Sequence, residues 1–159
     1  MAEVELDLGE EERRQLVEVA LRAIKEEEPA AKAALMHQLI RLIGDEPDRA
    51  VQGILRDAGV FGVARDVITG LTGLNGLTGL TGLSPTLDTL DEDETDALET
   101  ACSLVRAATE DNQESQAAAS EAGLGSILVD LEQRAPTLYI RTAAGAALIA
   151  MDMPLDLPQ

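Results

Sequence analysis

The chain has 159 residues, 45% of them hydrophobic and 26% charged, which suits one domain with a packed core and excludes a disordered polar chain or a fibrous one. Thirty acids against twelve bases give a formal net charge of −18, so a phosphate backbone or an anionic bilayer surface would be repelled, and neither nucleic acid nor membrane is an expected partner. With one Phe, one Tyr and no Trp, the core must be built from Leu, Ala, Ile and Val, and no run reaches the roughly 18 apolar residues of a spanning helix.

Residues 2–8 set Val4, Leu6 and Leu8 between acids, a period of two that suits a strand or an extended arm. The same stretch lacks a basic segment followed by an apolar one, so secretion is not indicated and a cytoplasmic location is expected. From Glu10 the period changes. Leu16, Val17, Val19, Ala20, Leu21 and Ile24 form an apolar stripe behind Glu10, Glu11 and Glu12, acids that suit a helix N-terminus; the pattern predicts a helix over 10–27. Pro29 punctuates, and a second helix over 30–43 carries two apolar rows, Leu35, Leu39, Leu42 and Met36, Ile40, Ile43. The turn Gly44-Asp45-Glu46-Pro47 opens a third helix, 47–57, which buries Ala50, Val51, Ile54 and Leu55. Gly59 ends it, and a fourth, 60–69, runs through Val63, Ala64, Val67 and Ile68.

A different material follows. Glycines at 70, 73, 76, 79 and 82 space a Gly-Leu-Thr repeat closed by Ser84-Pro85, then a dense acidic run from Asp88 to Asp96. Gly at every third position costs a helix roughly 1 kcal/mol each relative to Ala, and the Leu and Thr between them exclude collagen. Residues 70–93 are therefore expected to be a loop-like insertion and acidic linker, or a leucine-bearing segment that docks in a groove. Helical order returns at 94, with Leu98, Ala101, Cys102, Val105 and Ala108 on one face. Thr109-Glu110-Asp111-Asn112 is rich in capping residues and precedes a helix over 112–121. Gly123 ends that helix; Leu124, Ile127, Leu128 and Leu131 mark the next, and Arg134-Ala135-Pro136 breaks it. The last helix, 136–151, carries Ile140, Ala143, Ala144, Ala147, Leu148 and Met151, and residues 152–159 form an extended tail.

Two stretches match at a separation of 64 residues, from Gly59 to Gly123. Gln52 aligns with Gln116, Ala58-Gly59 with Ala122-Gly123, and Asp66 with Asp130. Each is a helix that ends in acid-Ala-Gly and is followed at once by a second apolar helix. The pattern resembles the armadillo repeat, in which a short helix ends in Asp/Glu-Ala-Gly, a second helix follows the Gly, and a longer Ala/Leu helix closes the unit. Such a unit is about 42 residues long, and the excess of about 22 matches the length of the Gly-Leu-Thr insertion and its acidic exit. The resemblance implies an all-α, armadillo/HEAT-like right-handed solenoid of about two and a half repeats. Residues 10–69 would be a capping helix and first unit, 70–93 the insertion, and 94–151 the second unit. Peptide-binding armadillo proteins carry Trp and Asn on the long helix. The corresponding positions here are Gln38, Ser103, Ala146 and Leu42, Ala107, Ala150, so that peptide site is not implied.

The chemistry-bearing residues are few. His37, the single histidine, lies off the Leu35 row and reads as a solvated side chain. Cys102 has no partner for an internal disulfide and reads as a small buried thiol. Counted from Asp91, the acidic run places Asp96 and Cys102 where a calcium loop needs Gly and Glu, so it fits helix capping instead. No phosphate-binding glycine motif is present, and no metal, cofactor or catalytic activity is expected. Arg41 and Arg106 occupy equivalent places on successive long helices. With Gln38 and Ser103 they form the candidate partner-binding set, unless the arginines simply pair with Asp45 and Glu110 four residues on. Ten of the twelve bases are arginine, a bias that suits either a high-salt setting or a GC-rich coding sequence. The expected function is a non-catalytic protein–protein interaction module. The alternative is an assembly subunit that completes its core by oligomerising or by docking on a larger partner.

Overall fold

A computed structural model describes residues 10–44, 49–72, 91–134 and 138–151. The described residues form eight α-helices and no strand: α1 Glu10–Glu26, α2 Pro29–Ile43, α3 Arg49–Ala58, α4 Val60–Thr72, α5 Glu92–Thr109, α6 Gln113–Glu121, α7 Leu124–Arg134 and α8 Leu138–Ala150. The chain is all-α over these residues. The Gly-Leu-Thr stretch from 73 onward, the arm 1–9 and the tail 152–159 lie outside them.

The helix ends have local causes. Pro29 sits in the first turn of α2, where its missing N–H costs nothing. Gly59 and Gly123 take φ of 94° and 86°, a region where a Cβ costs roughly 1–2 kcal/mol, and so turn α3 into α4 and α6 into α7 without a linker. Asp91 opens α5 through a capping box. Its carboxylate accepts from the Glu94 N–H at 2.8 Å, and the Glu94 carboxylate accepts from the Asp91 N–H at 2.9 Å. Two acids of the run are thereby used as a cap, and α5 begins at Glu92, two residues before its expected start. At the other side of the expected insertion, α4 continues through Gly70, Leu71 and Thr72, past its expected end at 69. Leu71 packs half-buried on the core there, which offsets the helix cost of Gly70.

Burial departs from the expected stripe of α1. Val17, Ala20, Leu21 and Ile24 are buried, but Leu16 and Val19 are 47% and 62% exposed. Six apolar residues within nine positions cover more of the helix circumference than neighbours on one side can touch. On α2, Ala33, Met36, Leu39 and Ile43 are fully buried, whereas Leu35, Ile40 and Leu42 are only partly so.

The helices contact one another in series. The long helices pack α2 on α5 and α5 on α8; α1 packs on α4 and α4 on α7; α3 packs on α6. Helix α5 is central, held between α2 and α8 and backed by α4. Its Leu98, Ala101, Cys102, Leu104 and Val105 are buried to within 1%. Full burial of a Leu contributes about 1.5–3 kcal/mol, so this helix anchors the core.

A buried polar corner joins α3 to the end of α5. Gln52 is wholly buried, and its Nε2 donates to the carbonyls of Ala107 and Glu110, both at 2.9 Å. Its Oε1 accepts from Asn112 Nδ2 at 2.9 Å, and Asn112 Oδ1 accepts from the Ser115 N–H at 3.1 Å to cap α6. Gln116, the aligned glutamine, repeats the bond one segment later. Its Nε2 donates to the Ala150 carbonyl at 3.0 Å and to the Thr109 carbonyl at 3.3 Å. In both halves a glutamine of the short helix thus ties down the last turn of the following long helix.

Candidate functional site

The long helices α5 and α8 leave a groove of about 350 Å³ between them. Their phasing produces it. The core-facing sides of α8 are Ile140, Ala144, Ala147 and Leu148, so Tyr139, Ala143 and Ala146 fall on the flank toward α5. On α5 the matching flank is Glu99, Ser103 and Arg106, at helical spacings of four and three. Small side chains at Ser103, Ala143 and Ala146 leave the trough open. Leu138 and Tyr139 stand exposed at one end of it.

Glu99 is the electrostatic pivot of the groove. Partial burial raises its carboxyl above the usual range and the Asp96 charge adds to that rise, while His37 and a hydrogen bond from the Tyr139 hydroxyl act the other way. That hydrogen bond ties α5 to α8 across the groove. On the opposite side of α5, Thr100 Oγ1 lies 3.3 Å from His37 Nε2, and the same hydroxyl donates to the Asp96 carbonyl at 2.6 Å. A polar row therefore runs from α2 through α5 to α8.

The expected site residues divide. Ser103 and Arg106 line the groove; Arg41 and Gln38 are exposed on α2 and do not. Among the described residues Arg106 makes no ion pair, with Glu110 or any other acid, and Asp45, the acid expected for Arg41, lies outside them. Glu99 and Tyr139 escaped the sequence reading. The available signal was Tyr139 itself, the single tyrosine of the chain, whose hydroxyl calls for a polar partner at the edge of a packed surface.

Cys102 is buried one turn from Glu99. Burial first, and the Glu99 charge second, push its thiol up to about 12, so it stays protonated at neutral pH. A second hollow, of about 540 Å³, lies between α1 and the α3–α4 turn and mixes both charge signs, Arg22 and Lys25 with Asp57 and Asp66. Among the described residues no three His, Cys, Asp or Glu side chains converge to hold a metal ion, and no helix is long and apolar enough to cross a membrane. No protein-family profile, curated protein or solved structure matches the chain.

Proposed function

We propose that the chain is an armadillo-like, right-handed helical stack that works as a non-catalytic protein-binding scaffold in the cytoplasm, with the α5–α8 groove as its docking surface. The serial contacts of the helices support the stack, because repeat architectures bury their cores between nearest neighbours. The paired bonds Gln52 to Ala107 and Gln116 to Ala150 support the repeat, since aligned residues perform the same task. The observation that carries the binding assignment is Arg106, an exposed cation without an ion pair among the described residues, in the same groove as the exposed apolar side chains of Leu138 and Tyr139 and about 10 Å along α5 from the Glu99 that Tyr139 meets. That combination suits an extended partner segment with an apolar side chain about three residues from a carboxylate.

Capture from native lysate, compared between the wild-type chain and an Ala146→Trp, Arg106→Glu variant, tests the assignment. Tryptophan at 146 fills the trough and the charge reversal repels a carboxylate. Proteins held by the wild type and lost by the variant, with helicity unchanged by circular dichroism, are the expected result. The same proteins on both would remove the groove from consideration.

A further inference from the structure

The chain leaves α8 at the end of the groove that holds Arg106. Gln116 Nε2 donates to the carbonyls of both Thr109 and Ala150, so the C-terminal ends of α5 and α8 lie side by side. Tyr139 meets Glu99 toward the other end, so the two helices run parallel. Arg106 lies about 5 Å short of Thr109 along α5, at a rise of about 1.5 Å per residue. Buried Met151 closes α8 with its N–H bonded to the Ala147 carbonyl. Residues 152–159, Asp-Met-Pro-Leu-Asp-Leu-Pro-Gln, follow from that end and lie outside the described residues.

Charge fixes how such a segment can enter. Among the described residues Glu99 and Arg106 are the charged side chains that line the groove. Glu99 has Asp96 and His37 around it, and its end of the groove repels carboxylates. Arg106 makes no ion pair among the described residues, although Glu110 stands four residues on. At the rim beyond it, Asp111 adds a second acid, and Arg49 donates to the Asp111 carbonyl at 3.0 Å and adds a cation. A carboxylate arriving from α8 therefore meets Arg106 and is held back from Glu99.

The length of the segment agrees. Pro154 cannot continue a helix and disfavours helical backbone at Met153, so the chain is free to reverse there. With three residues used in the reversal, residues 155–159 reach about 16 Å when extended, against about 10 Å from Arg106 to Glu99. Asp156 then falls at Arg106. Leu155 and Leu157 flank it and share one side of an extended chain, the side that meets the small residues Ser103, Ala143 and Ala146.

We infer that the groove of the free chain is occupied by its own residues 152–159, with Asp156 on Arg106 and Leu157 over Ser103 and Ala146. The inference rests on the α5–α8 groove being the docking surface and adds its regulation. A partner has to displace a tethered competitor, starting from Leu138 and Tyr139, which the segment leaves uncovered. A short tether gives an effective concentration in the millimolar range, so a contact with a dissociation constant of about 1 mM already fills the groove about half of the time.

Paramagnetic broadening in the full chain tests the contact. Gln159→Cys carries a nitroxide, while Cys102, buried and with its thiol pushed up to about 12, stays unlabelled. The amide signals of Ser103 and Arg106 should broaden at least threefold more than those of Gly145 and Glu132, which meet on the other flank of α8. Asp156→Arg should cut the broadening roughly threefold, and Arg106→Asp in the same chain should restore it. Leu157→Ser should also cut it without changing charge, which keeps the test intact if Arg106→Asp loses helicity. Equal broadening on the two flanks overturns the proposal, as does broadening that both Asp156→Arg and Leu157→Ser leave unchanged. Broadening that passes undiminished from a spin-labelled chain to an isotope-labelled chain without the spin also overturns it, because the occupant is then a second copy. Capture from lysate reads the docking surface separately. Captured proteins with no broadening sink this contact alone, and broadening with nothing captured leaves the contact standing and sinks the scaffold reading.

Discussion

The halves α3–α5 and α6–α8 follow the same local plan and reach different degrees of burial. Gln52 is sealed from water and uses both ends of its amide, whereas Gln116 is half-buried and, among the described residues, uses only its donor. Helix α5 buries nine residues among α2, α3, α4, α6 and α8, and α8, packed on α5 and α7, leaves Leu138, Tyr139 and Ile149 in water. A glycine turn and a capping glutamine specify where the chain bends; the helix that arrives next decides how much each bend is worth.

That contrast can be broken by paired substitutions, read as shifts in melting temperature at about 2–4 °C per kcal/mol for a chain of this size. The largest difference is expected between Leu104→Ala and Ile149→Ala. The first empties a fully buried site and should cost about 3 kcal/mol, near 6–12 °C; the second should stay within about 0.5 kcal/mol. Equal losses would mean that α8 is as enclosed as α5.

Gln52→Ala should follow at about 2–3 kcal/mol, because it strands the buried Asn112 amide together with two carbonyls of α5. Gln116→Ala should cost about 1 kcal/mol, since water can reach the carbonyls it leaves. Thermal melts of the two variants side by side decide it, and a reversed order would put the tighter corner in the second half. Salt provides a control that acts on both halves. From about 0.01 M to about 1 M the melting temperature should rise in the wild type and in all four variants, as screening relieves the repulsion of −18 charges.

The smallest effect belongs to Glu99, which bridges the halves. Burial holds its folded carboxyl above the ordinary glutamate value of 4.5, so the folded chain keeps that proton longer than the unfolded one. The stability this confers is present below 4.5 and lost as pH rises through the folded value. Glu99→Gln, which still accepts from Tyr139, should therefore gain in melting temperature relative to wild type on going from pH 4 to pH 7. A gap that narrows over that range would mean that the Tyr139 bond and His37 outweigh burial.

Much of the fold was legible because its punctuation is chemical. Pro29, Gly59 and Gly123 each place a helix boundary within a residue or so, and the Leu and Ala rows of α5 and α8 point to their buried sides. Leu16 and Val19 misled because periodicity records which residues are apolar and not whether a neighbour exists to cover them. Arg41 and Arg106 were singled out by their equivalent places on the long helices, and Gln38 and Ser103 by the armadillo alignment; the groove lies on the α8 side of α5, so Ser103 and Arg106 line it, and Gln38 and Arg41 on α2 do not. Which pair of helices parts to leave a trough depends on side-chain volumes at Ser103, Ala143 and Ala146 together, a property of three helical turns that meet only in the fold.

The lone cysteine gives the molecule a clock. Cys102 sits at the middle of the central helix, wholly shielded and protonated, so a thiol reagent can reach it only while α5 is parted from its neighbours. The labelling rate then counts openings, and its dependence on denaturant reports how much surface each opening uncovers. A shallow dependence means that one end of the helix row peels away while the rest stands; a steep one means that the whole row comes apart at once.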